Sequence, residues 1–108
     1  MAWKVKDLQT SRGENLIESF IGKQEQSTKA KITRMILVLG QYGPNLGMPY
    51  SKKIDRNLWE LRISGKEAVR IFYTTKESDI ILLHIFKKKT EKTPQKELKL
   101  ARQRLEKF

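Results

Sequence analysis

The chain has no cysteine and a single histidine among 108 residues. The first absence excludes a disulfide framework and a thiolate metal site, and His84 alone cannot assemble an imidazole metal centre. No metal and no other cofactor is therefore expected. Long apolar runs are lacking too: Met35–Leu39 and Ile80–Leu83 fall far short of the ~20 residues that span a bilayer. The N-terminal residues lack the apolar stretch and small-residue cleavage site of a signal peptide. A cytoplasmic location with no membrane partner is expected. Prolines number only three and glycines six, and no repeat, low-complexity run or linker interrupts the chain, so residues 1–108 are expected to form a single domain. Acidic residues are also scarce. Twelve Asp and Glu stand against twenty-three Lys and Arg, a net charge of +11 and a pI near 10.0. On a small domain that excess is the footprint of a polyanion binder, nucleic acid before membrane, because no segment joins a basic face to a broad apolar one.

Periodicity predicts the elements. Ala2–Leu8 alternates as a short strand. Ser11 and Glu14 have capping-box spacing ahead of Leu16, Ile17, Phe20 and Ile21, which predicts a helix to about Lys23. A second helix begins at Ser27 or Thr28, buries Ile32, Met35, Ile36 and Leu39, and stops near Gly40–Pro44. These two form a helical hairpin. From Gly43 to Ile54 two prolines and two glycines without a period predict an ordered loop. Leu58–Ser64, Val69–Thr75 and Ile80–Phe86 then read as three strands joined by short turns, an antiparallel meander. Thr93 as N-cap and Pro94 as first residue open a final helix whose stripe is Leu98, Ala101, Leu105 and Phe108. The expected class is α+β, with the hairpin and the C-terminal helix packed on one face of a small antiparallel sheet of the meander plus an N-terminal strand.

Strand alternation assigns Trp59, Leu61, Ile63, Val69, Ile71, Tyr73, Ile81, Leu83 and Ile85 to the apolar face. The opposite face then carries Glu60, Arg62, Arg70, Phe72, His84 and Phe86, and the same parity adds Lys88. Guanidinium and ammonium groups suit phosphates, and rings suit base stacking, so this face fits single-stranded RNA. It also fits strand scission. Arginine's planar fork matches two phosphate oxygens, while Glu60, His84 or a lysine crowded by like charge can exchange protons. Structural alternatives stand beside these roles: Glu60 as a cross-strand partner of Arg70, and His84 as a hydrogen-bonded core residue. Lys87–Lys89 also suits a solvated turn, and Lys52 and Lys53 mobile surface charge near the rim of the face.

Four blocks carry a resemblance. Leu58-Trp59-Glu60-Leu61-Arg62, Val69-Arg70-Ile71-Phe72-Tyr73, Leu82-Leu83-His84-Ile85-Phe86-Lys87-Lys88-Lys89-Thr90 and Lys92-Thr93-Pro94 together resemble the phage-derived HigB branch of the RelE toxin superfamily. The looser match extends over the two N-terminal helices, the loop with Pro49-Tyr50, and the C-terminal helix with Ala101. The resemblance implies a RelE-like fold and the toxin of a type II toxin–antitoxin pair. It further implies an endoribonuclease that cuts mRNA, typically on the ribosome, and a cognate antitoxin of helix-turn-helix, HigA-like type. The family's strand arginines fall on Arg62 and Arg70, its glutamate on Glu60, and its basic position after the last strand on Lys87–Lys89, best on Lys88 or Lys89. No tyrosine or histidine follows His84, so no general acid or base is assigned. Two other function classes compete: a non-catalytic RNA or ribosome binder that blocks translation by occupancy, and a fold kept only as a partner-binding scaffold.

Overall fold

The computed structural model describes residues 2–107. In chain order it forms β1 (Lys4–Asp7), α1 (Leu16–Gly22), α2 (Gln26–Tyr42), a 3-10 turn (Gly43–Leu46), β2 (Ser51–Asp55), β3 (Leu58–Ile63), β4 (Val69–Lys76), β5 (Asp79–Lys87) and α3 (Gln95–Leu105). The sheet order is β1-β5-β4-β3-β2, with β1 parallel to β5 and the other pairs antiparallel. The α+β class, the meander and the N-terminal strand follow the expectation. The sheet is nonetheless mixed, and it gains β2 from the segment expected to be a loop. Ser51–Asp55 lacks an apolar alternation because it is an edge strand, and its lysines face solvent.

Local chemistry explains the helix limits. The chain turns at Thr10–Gly13, where the Thr10 hydroxyl accepts from the Glu14 N–H at 3.0 Å. The N-cap of α1 is therefore Asn15, not Ser11: its Oδ1 accepts from the Glu18 N–H at 2.9 Å, and its Nδ2 lies 3.4 Å from the Glu18 carboxylate. The start of α2 is within two residues of expectation, but the helix runs through Gly40 to Tyr42. It stops at Gly43, where φ is +62° and a Cβ would lie 2.2 Å from the Trp3 indole nitrogen. At the start of α3 the cap is Pro94, and the Thr93 hydroxyl is turned elsewhere. Phe108, expected at the end of the α3 stripe, lies outside the described residues.

Helices cover both sheet faces, a departure from the expected one-sided packing. On the first face Ile17 of α1 and Ile32 and Leu39 of α2 pack against Leu61, Ile63, Val69, Ile71 and Tyr73. On the second, Ala101, Leu98 and Leu105 of α3 pack against Leu58, Phe72, Ile81, Leu83 and Phe86. A bulge in the β4–β5 pairing accounts for the residues that strict alternation misplaces. Phe72 pairs with His84 but Tyr73 with Leu82, so Leu83 is supernumerary and the faces exchange there. Ile80 and Leu82 thus join the α1/α2 core, and Ile81 and Leu83 go beneath α3.

Burial of Phe72 at 0% exposure corrects the expectation of a ring open to solvent. Replacing it with alanine removes a filled core site, so Phe72→Ala should destabilise the fold by about 3–5 kcal/mol. Urea unfolding monitored by circular dichroism measures this, and a surface ring would give a change below about 0.5 kcal/mol.

Candidate nucleic-acid interface

The β3–β4 register sets Arg62 directly opposite Arg70 and Glu60 opposite Phe72. On the other side of β3, Lys52 pairs with Glu60. Glu60, Arg62, Arg70 and Lys52 thereby share the second face, as alternation predicts. Glu60 is only 2% exposed. Its Oε1 lies 3.4 Å from Arg62 Nε, at ion-pair distance but without hydrogen-bond alignment, and its Oε2 accepts from the Thr93 hydroxyl at 3.3 Å. Arg70 Nη1 donates to the Val69 carbonyl at 3.1 Å, and Arg62 Nη1 lies 3.9 Å from Met48 Sδ. The Nε atoms of both arginines are buried and make no hydrogen bond among the described residues.

Two like charges opposed across strands are unfavourable, and one buried carboxylate does not neutralise two guanidinium groups. Burial holds the Arg70 guanidinium below its usual range, Glu60 works in the opposite sense, and the positive charge of Arg62 lowers it further. Both arginines remain cationic at neutral pH. The pair leaves one positive charge uncompensated on a partly buried surface, a chemistry that suits an anion with several acceptor oxygens. The chain continues past β5 with the Lys88 N–H donating to the Ala68 carbonyl at 2.9 Å, so Lys88 extends the ladder beside the β4 end that carries Arg70. Lys89 follows, exposed.

The remaining expected residues lie elsewhere. Lys53 pairs with Trp59 and sits 5.4 Å above its ring, on the first face, away from the arginines. Lys87 pairs with Val69, also on the first face, and forms an ion pair with Glu67 at 3.0 Å. Phe72 is enclosed under α3. His84 is half-enclosed there too, its ring tilted on Phe72 and stacked on Phe86. The structure thus groups Glu60, Arg62, Arg70, Lys52 and Lys88 on the second face, sends Lys53 and Lys87 to the first, and covers Phe72, which pairs with Glu60, under α3.

Arg104 of α3 donates to the Leu83 carbonyl at 2.8 Å and to His84 Nδ1 at 3.1 Å. Because arginine only donates, Nδ1 is the acceptor and the ring proton sits on Nε2, 3.3 Å from both Glu97 oxygens. The ring is therefore neutral, and its contact with Glu97 is a hydrogen bond from an uncharged donor. Burial depresses the His84 pKa below 6.5, opposed by the hydrogen bond and charge of Glu97 and assisted by Arg104. Met48, Glu97 and Arg104 were not singled out from the sequence, and Thr93 was not assigned to the site. Thr93 reads as an ordinary cap, and the others depend on contacts across 13 to 20 residues of chain.

A basic α+β protein with an arginine pair set into one sheet face is the class defined here. A family model described as "Phage derived protein Gp49-like (DUF891)" matches residues 19–106, so the chain belongs to that family, which is toxin-like and related to the RelE/HigB toxins. Membership implies a cognate antitoxin as partner. Comparison with curated proteins gives no match. No helix among the described residues is long and apolar enough to cross a membrane.

The His84 pKa carries a pH dependence. With the folded value below the unfolded one, the stabilisation is complete above pH 6.5 and is lost as pH falls from there through the folded pKa. Wild-type stability should therefore decline on acidification below 6.5, before most carboxylates titrate. His84→Gln should flatten that segment of the curve in urea titrations. An unchanged slope would remove His84 as its source.

Proposed function

We propose that this chain is the toxin of a type II toxin–antitoxin pair, a cytoplasmic endoribonuclease that cleaves mRNA, on the ribosome, without a metal ion. The observation that carries the reading is the opposition of Arg62 and Arg70 on adjacent strands, an unfavourable pairing that a bound phosphodiester would reverse. Family membership supports the toxin class, and the +11 charge supports a polyanionic substrate.

In this reading Arg62 and Arg70 clamp the scissile phosphate and stabilise the charge that grows on its oxygens as the 2′-hydroxyl attacks. The 2′-oxygen forms a bond to phosphorus, the bond to the 5′-oxygen breaks, and a proton passes from the former to the latter. Glu60, fixed by the Thr93 hydroxyl at Oε2 and at ion-pair distance from Arg62 Nε through Oε1, acts as a positioning residue for Arg62. Lys88 and Lys89 add charge at the end of the clamp, and Lys52 meets the flanking backbone.

Induced expression in bacteria, with growth and mRNA 5′ ends mapped together, tests the proposal. Wild-type protein should arrest growth and generate new cuts. Arg70→Ala should remain folded and lose about 100-fold or more in cleavage, the typical cost of removing one charge-stabilising donor. Arg70→Lys should recover only part of it, because an ammonium lacks the bidentate fork. Arrest without new cuts would replace this reading with a translation-blocking binder, and full cleavage by folded Arg70→Ala would remove the arginine clamp.

A further inference from the structure

An open groove of about 630 Å³ runs along α2, walled on its far side by Leu46 and Tyr50. Ala30, Arg34, Val38 and Tyr42 line it at steps of four residues, a single stripe about 18 Å long at 1.5 Å per residue. This stripe is not the core stripe of α2, which is Thr28, Ile32 and Leu39. Met35, Val38 and Leu46 give it an aliphatic lining, and its aromatic residues are open to solvent, Tyr42 at 58% and Tyr50 at 49% exposure. Lys31 and Arg34 supply its only charges, and no Asp or Glu lines it among the described residues. A smaller hollow of about 180 Å³ shares Lys31, Met35 and Tyr50 with the groove and reaches Arg62 and Ser64.

We propose that this groove is the docking site for an acidic amphipathic helix of the cognate antitoxin. The proposal rests on the reading of the chain as a toxin. Charge and shape select the occupant. An aliphatic lining gains nothing from phosphates but buries the apolar face of a helix about three turns long, while Tyr and Met are favoured anchors at protein interfaces. Lys31 and Arg34 complement carboxylates on the helix flank, and the shared hollow brings the end of such a helix to Arg62. Docking there joins neutralisation to the catalytic face. A carboxylate placed against Arg62 competes with the phosphate for the same guanidinium.

Hydrogen exchange and calorimetry on the full-length chain with the antitoxin encoded beside it test this. Amides of Ala30–Tyr42 and Leu46–Tyr50 should be protected on binding. Val38→Asp, at the half-buried groove lining, and Arg34→Glu, exposed, both checked for folding by circular dichroism, should each weaken the antitoxin about tenfold or more. Tyr42→Ala, a milder change, should do so as well. All three should still arrest growth when expressed alone and escape rescue by the antitoxin. Affinities within about twofold of wild type would overturn the proposal, as would unprotected groove amides or no binding at all. Protection by an oligoribonucleotide in place of the antitoxin, or concentration-dependent self-association abolished by Val38→Asp, would equally overturn it. If wild-type protein neither arrests growth nor cuts RNA, the nuclease reading fails on its own, while calorimetry still decides the groove.

Discussion

The opposition of Arg62 and Arg70 across β3 and β4 is the constraint on which the rest of this molecule turns. Like charges directly opposite on adjacent strands are destabilising, by up to ~1 kcal/mol. The register survives because the other faces of the same strands carry Leu61, Ile63, Val69 and Ile71, all buried against α1 and α2. Each such side chain contributes about 1.5–3 kcal/mol through burial. A slip by one residue would put the arginines into that core and the aliphatic residues outside it. Hydrophobic burial on one face therefore enforces electrostatic frustration on the other, and the frustrated pair is the feature on which the proposed phosphate clamp rests.

The second face is divided. Beneath α3 it is apolar and closed, with Phe72, Leu83 and Phe86 around Ala101. Beyond the helix it is cationic and partly open, with Arg62, Arg70 and Lys88. Glu60 and Thr93 stand at the boundary. The hydrogen bond between them joins the segment entering α3 to the carboxylate that neighbours Arg62, so helix docking and arginine placement are coupled. Along the same helix, Glu97 in its first turn and Arg104 in its last grip a neutral His84. These contacts make His84 an anchor for α3.

These two faces also give the chain two kinds of surface for two kinds of partner. The arginine face offers charge set in a rigid sheet, suited to a polyanion. The α2 groove offers aliphatic and aromatic side chains with only two cations at its edge, suited to a helix. Their proximity through Tyr50 and Arg62 lets occupancy of one surface bear directly on the other.

Alternation by itself determined the meander, the elements of the α+β class and the grouping of Glu60, Arg62 and Arg70, because a strand period of two leaves no freedom about which side chains share a face. Composition by itself determined the +11 net charge, since charge is additive. Tertiary structure decided what additive or periodic rules do not contain. The Leu83 bulge exchanged the faces of β5, since alternation presumes unbroken pairing. The lysine-rich edge strand β2 took its order from backbone bonding to β3, not from an apolar pattern of its own, and thereby sent Lys52 and Lys53 to opposite sides. Packing of α3 closed Phe72 and His84 away from solvent, because an amphipathic stripe announces that a helix buries one face but not which surface it covers.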